Sequence, residues 1–144
     1  MSARLVELVQ TGFASWNAGE RSWIRDHMTP AAAWHPSTED PEVRPYVGIE
    51  AIESFWDQWY AALGPLHFEA LEILDAGRHV VVVSRRSGRG RSSGLEVSDT
   101  IVQTFSFNHQ DRCYMVREYA NRDEALAHLS EDGSDPLAPA EDPK

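Results

Sequence analysis

Four polar side chains stand where this chain could do chemistry: His35, Asp99, Gln103 and Glu118. His35 precedes Pro36 at the end of a short apolar run, Ala32 to Trp34, and an imidazole titrating near about 6.5 can accept a proton at neutral pH. Asp99 and Gln103 fall in the longest predicted strand, Leu95 to Phe107. Its odd positions Leu95, Val97, Ile101, Phe105 and Phe107 are apolar, and Glu96, Ser98, Thr100, Thr104 and Ser106 alternate with them. A strand puts that apolar stripe on one face, which we expect to be the concave, core-facing one. A polar group left unpaired on such a wall costs about 1–3 kcal/mol. Gln103 and Asp99 are therefore either contacts for a ligand or parts of structural hydrogen bonds, with Asp99 also suited to a solvent-exposed rim. Glu118 belongs to the last strand, Arg112 to Tyr119, which allows two registers. A regular four-residue turn, Asn108 to Asp111, pairs Phe107 with Arg112 and turns Tyr114, Val116 and Glu118 inward. One β-bulge would instead bring in Met115, Arg117 and Tyr119. The regular register is our expectation, and it makes buried Glu118 either a second acid or base with a pKa raised by desolvation or a partner for a nearby Arg.

Trp16, Trp34, Phe55, Trp56, Trp59, Tyr60 and Phe68 make the chain rich in aromatic rings. Most must be core packing, but Phe55, Trp56 and Trp59, with Trp34 and Phe105, could line a pocket for a flat hydrophobic ligand. Arg78, Arg85, Arg86, Arg89 and Arg91 cluster around a Gly/Ser hairpin without interleaved aromatics, so we read them as solvated or ion-paired, not as a nucleic-acid surface. The His residues are scattered with no ligand-spaced pair on a helix, so neither a metal site nor a cofactor is expected.

The elements that must position these groups follow from periodicity and breakers. Leu5, Leu8, Val9, Phe13 and Trp16 predict a helix over 3–18, stopped by Gly19. A second helix, 20–28, ends before Pro30. A third, 49–63, carries Ile52, Phe55, Trp56, Trp59, Tyr60 and Leu63 and is closed by Gly64-Pro65. Between them lie a short strand, 32–34, a polar loop, 37–45, with Glu39, Asp40 and Glu42 solvated, and an extended piece at 46–48. A β meander follows: 66–74, 80–88, 95–107 and 112–119, then a closing helix over 121–130. The four valines Val80 to Val83 should be covered on both faces. Residues 1–130 read as one domain and 131–144 as an acidic, Pro-rich disordered tail.

With 144 residues and a formal charge of −10, the chain should repel nucleic acid and anionic membranes. The single Cys113 allows no internal disulfide. No apolar stretch approaches a membrane span and the N-terminus lacks a signal-peptide core, so a cytoplasmic protein is the expectation.

Helices first and a strand run afterwards specify an α+β domain. The order, together with Phe13-Ala-Ser-Trp-Asn-Ala-Gly-Glu20, Trp34-His35-Pro36, Gly48-Ile-Glu-Ala-Ile-Glu-Ser-Phe-Trp56, Thr104-Phe-Ser-Phe107 and Arg117-Glu-Tyr-Ala-Asn-Arg-Asp-Glu-Ala-Leu126, resembles the SnoaL-like branch of the NTF2-like superfamily, which includes ketosteroid isomerase and polyketide cyclases. The resemblance implies a cone, with a curved antiparallel (mixed) sheet wrapped around three helices. It places His35 where ketosteroid isomerases carry their general-base Asp and Gln103 where they carry the protonated Asp of the oxyanion hole. Their oxyanion Tyr falls at or beside Gly12, so that steroid mechanism does not carry over intact. The function implied is binding of a small hydrophobic molecule, with cofactor-free isomerase, cyclase or hydrolase chemistry on it, or binding alone. Relatives pair through the outer sheet face, implying a homodimer through Ser98, Thr100, Val102, Thr104 and Ser106; a dimeric interaction module is the third reading.

Overall fold

In the computed structural model, residues 3–37 and 43–131 are described. The acidic loop residues Glu39, Asp40 and Glu42 and nearly all of the tail from 131 onward lie outside them. The elements are α1 (Ala3–Asn17), α2 (Trp23–His27), β1 (Met28–His35), β2 (Tyr46–Val47), α3 (Ile49–Leu63), β3 (His67–Ala76), β4 (His79–Arg89), β5 (Glu96–Phe107), β6 (Cys113–Tyr119) and α4 (Arg122–Glu131). The fold is α+β, with one curved six-stranded sheet ordered β2-β1-β6-β5-β4-β3. Only β1 with β6 is parallel; the other pairs are antiparallel.

Two boundaries differ from expectation for identifiable reasons. The second helix is shorter than 20–28: it starts only at Trp23, with Ser22 at its N-cap, and the chain is already extended at Met28. Pro30 does not break β1. It falls where the register against β6 slips, between Met28 and Ala33, one of the few places a strand tolerates a residue without an N–H. In the last hairpin Phe107 pairs with Cys113, not Arg112, and the register shifts again between Ser106 and Phe107. Val116 then faces Phe105 and Glu118 faces Gln103. The inward parity expected for Val116 and Glu118 holds, while their partners move two residues along β5. The third helix ends as expected: Gly64 takes a left-handed φ of 71° and donates its N–H to the Tyr60 carbonyl at 2.7 Å.

The sheet buries both faces. On the concave side α1, α2 and α3 pack Leu5, Val9, Ile24, Ile52 and Trp56 against Trp34, Val80, Val82, Ile101, Phe105, Phe107 and Val116. On the outer side α4 lays Ala125 over Val81 and Val102. That division explains the valine run, since Val80 and Val82 serve one core and Val81 the other. It also alters the outer face expected for pairing: Val102, Thr104 and Ser106 are already buried within the single chain. The C-terminus of α1 is tied to β3 by Asn17, whose Nδ2 donates to the Phe68 carbonyl at 2.8 Å while its Oδ1 accepts the Phe68 N–H at 2.9 Å.

Cys113 has no solvent exposure, and burial pushes its thiol up to about 12 from an ordinary 9.0. The native thiol should therefore resist alkylating reagents at mildly alkaline pH and react with one equivalent after denaturation. Because the unfolded thiol ionises first, the folded state should lose stability as pH climbs from 9.0 towards about 12. Chemical denaturation of Cys113→Ala across that window should show a shallower decline than the parent.

Candidate functional site

Helix α1 offers one face at helical spacing, Val9, Gly12, Phe13 and Trp16, to a cavity inside the cone. Trp23 and Ile24 of α2, Trp34 of β1, Trp56 of α3, Phe68 of β3, and Gln103 and Phe105 of β5 complete its walls, with Glu20 and Arg21 bordering it between α1 and α2. The cavity measures about 70 Å³. Its rings meet edge to face: Trp16 and Trp56 at 5.1 Å and 65°, Trp34 and Trp56 at 5.2 Å and 87°, Trp23 and Phe105 at 6.2 Å and 85°. Such arrangements set the positive edge of one ring against the negative face of the next. Gly12 is required here by a close approach. A Cβ at this position would lie 3.0 Å from the Trp23 ring, whose indole N–H donates to the Leu8 carbonyl at 3.0 Å.

The polar part of the wall is organised by one carboxylate. Oε2 of Glu118 accepts from Trp34 Nε1 at 2.9 Å and from Gln103 Nε2 at 3.0 Å, and Oε1 accepts from the Ser37 backbone N–H at 3.3 Å. Glu118 is 8% exposed and has no ion-pair partner among the described residues, so the Arg partner considered from sequence is not what satisfies it. Gln103 lines the cavity with its amide held from behind, since one of its two N–H groups is given to Glu118. Of the four tryptophans lining the cavity, Trp16, Trp23 and Trp34 donate their N–H groups to protein acceptors. Trp56 Nε1 is buried and finds none among the described residues.

The expected residues thus separate. Trp34, Trp56, Phe105 and Gln103 line the cavity, and Glu118 lies one side chain behind it. Phe55 is buried in the core between Tyr46, at 4.6 Å, and Trp56, at 4.9 Å. Trp59 carries the Arg86 guanidinium over its ring at 5.2 Å and borders a separate cleft with Asp99. Asp99 is at the exposed rim, held by Arg86 through two hydrogen bonds of 3.1 and 2.8 Å, four residues along β5 from Gln103. Phe13, Trp16, Trp23 and Phe68 were not among the expected site residues. The α1 periodicity gave the signal for two of them, since one helix stripe serves both core and cavity. Among the described residues no three His, Cys, Asp or Glu side chains gather as metal ligands. No described helix is long and apolar enough to cross a membrane.

His35 is not brought to Gln103. Trp34 and Gln103 share Glu118 on the concave side, and the next residue along a strand points the opposite way. His35 is half-buried on the outer face, where β6 contributes Arg117 and α4 contributes His128. Burial first, then the charges of Arg117 and His128, lower its pKa from 6.5. The unfolded chain therefore binds a proton there before the folded chain does, and the contribution of His35 to stability is lost as pH falls below 6.5. His35→Gln should flatten the acid-side fall of the melting temperature in that range; melts of both proteins that run parallel would refute this account.

A model of the SnoaL-like domain family matches residues 9–114. Comparison with curated proteins returns no match. Among solved structures the chain is similar to a protein assigned as a SnoaL-like polyketide cyclase from Jannaschia sp. CCS1, at 20% identity and a TM-score of 0.70 over 88% of this chain and 89% of that one. It is similar to an NTF2-like protein of unknown function from Burkholderia pseudomallei K96243, at 14% identity and a TM-score of 0.72 over 88% and 97%. It is also similar to Bal32a, from a soil-derived mobile gene cassette, at 21% identity and a TM-score of 0.70 over 82% and 90%. With the family model covering most of the chain and the six-stranded cone matching NTF2-like neighbours, this chain belongs to the SnoaL-like domain family.

Proposed function

We propose that this protein binds a small, compact, largely apolar molecule in the aromatic cavity, with the Gln103 side chain as its polar contact. The supporting observation is the cavity itself: seven aromatic rings around a single amide whose orientation is fixed from behind by Glu118. Size narrows the ligand. A dry protein cavity of about 150 Å³ accommodates benzene, and this one is about 70 Å³. The space between the rings therefore takes a compact group, and anything larger must extend through the open side of the pocket. His35 has no place in this reading, because it is on the other side of the sheet.

A second reading, acid-base turnover of the bound molecule, is favoured by one observation. Glu118 is a buried carboxylate behind the cavity wall, and it touches Gln103 directly. The SnoaL-like family includes polyketide cyclases and isomerases, so catalysis through Glu118 in place of His35 is the form it would take here. If the chain forms the homodimer expected from its relatives, the contact must use outer surface that α4 leaves open.

The test is native mass spectrometry of the purified protein, followed by organic extraction and thermal-shift screening of small molecules. Gln103→Leu should weaken binding of whatever is retained by about two- to tenfold, the usual worth of one neutral hydrogen bond, and His35→Ala should leave it unchanged. Turnover lost in Glu118→Gln with binding retained would establish the second reading. A protein that retains nothing and is stabilised by no small molecule would overturn both.

A further inference from the structure

We propose that the group this cavity accepts is a compact alkylated ammonium: a free small molecule ending in a trimethylammonium-like head. The inference rests on the binding reading above and adds the charge and shape of the ligand.

Two features of the wall select a cation. The first is the set of rings. Trp16, Trp23, Trp34 and Trp56, with Phe13, Phe68 and Phe105, surround the space, and neighbouring rings stand nearly perpendicular, at 87° for Trp34 with Trp56 and 85° for Trp23 with Phe105, so that their planes run in several directions. A cation is attracted to the negative face of each such ring, most strongly to tryptophan, and cages of this kind hold quaternary ammonium groups. The second is Glu118, a buried carboxylate that is satisfied by N–H donors and has no cationic side chain within ion-pair distance among the described residues. Its charge is transmitted to the wall through the two side chains it holds, Trp34 and Gln103, both of which line the cavity.

A trimethylammonium head carries a charge that is spread over methyl groups and weakly hydrated, so an apolar enclosure strips less water from it than from ammonium itself. The charged residues bordering the cavity are Glu20 and Arg21. Arg21 is neutralised by Asp57 at 2.8 Å and lies 5.4 Å over the Trp16 ring, so one lining indole already carries a cation.

Choline and 3,3-dimethyl-1-butanol differ chiefly in whether the central atom is a charged nitrogen or a neutral carbon, so their comparison isolates the charge. Titrated into the wild-type protein by calorimetry at millimolar concentrations, choline should bind at least about tenfold more tightly than the alcohol. Tetramethylammonium should bind and ammonium should not. In Glu118→Gln, checked for folding by circular dichroism, the preference for choline over the alcohol should shrink. Equal affinities, or tighter binding of the alcohol, would overturn the cationic ligand while leaving the binding reading intact. Binding of neither, with a neutral molecule recovered by extraction, would overturn it in the same way. Sedimentation with phosphatidylcholine vesicles without binding of free choline would overturn the small-molecule source.

Discussion

A carboxylate taken out of water must be met by donors, and the way Glu118 is met ties together much of this molecule. Its two oxygens accept from a β1 side chain, a β5 side chain and the backbone just beyond β1. Those three donors fix the parallel contact of β1 with β6 and the antiparallel contact of β6 with β5 in one register. A slip of one residue on β6 would carry Glu118 to the outer face and leave two buried N–H groups without an acceptor, a cost of roughly 1–3 kcal/mol for each. The same bonds shape the chemistry of the cavity wall, because they occupy the Trp34 N–H and one of the two N–H groups of the Gln103 amide. In ketosteroid isomerases, which the chain resembles, the corresponding place serves to donate to an oxyanion. Here the amide donates to the buried Glu118 carboxylate.

Parity along the strands separates what is inside from what is outside with little room for compromise. Trp34 and His35 are neighbours in sequence, yet one belongs to the aromatic wall and the other to a basic group beneath α4 with Arg117 and His128. The helix α4 makes this outer group possible. By covering Val81 and Val102 it turns part of an exterior sheet face into a second core, and residues that alternation alone would assign to solvent become half-buried.

The fold was legible because its signals are local: helical stripes on α1 and α3, the Gly64-Pro65 stop, and the alternation of β5. The site was less so. Gln103 could be read from one strand, since a polar residue in an apolar stripe is conspicuous. The role of His35 was carried over by alignment to a position before a proline, and that alignment does not encode which way a side chain points. The register slip between Met28 and Ala33 is the kind of feature that decides such a direction, and nothing in Met28-Thr-Pro-Ala-Ala-Ala33 announces its size. Asp99 and Trp59 were drawn to the site by face alone. They lie on the correct face but too far towards the open end of the sheet, where Arg86 takes both.

Trp16, Trp56 and Trp34 form an unbroken run of indoles, with ring centres 5.1 and 5.2 Å apart, and all three border the cavity. Chromophores this close share their electronic transitions, so the near-ultraviolet optical activity of the folded protein reports their mutual orientation and not merely their number. Any molecule that enters must either leave that geometry alone or be recorded by it. The cavity wall is thus its own spectroscopic gauge, readable without a label.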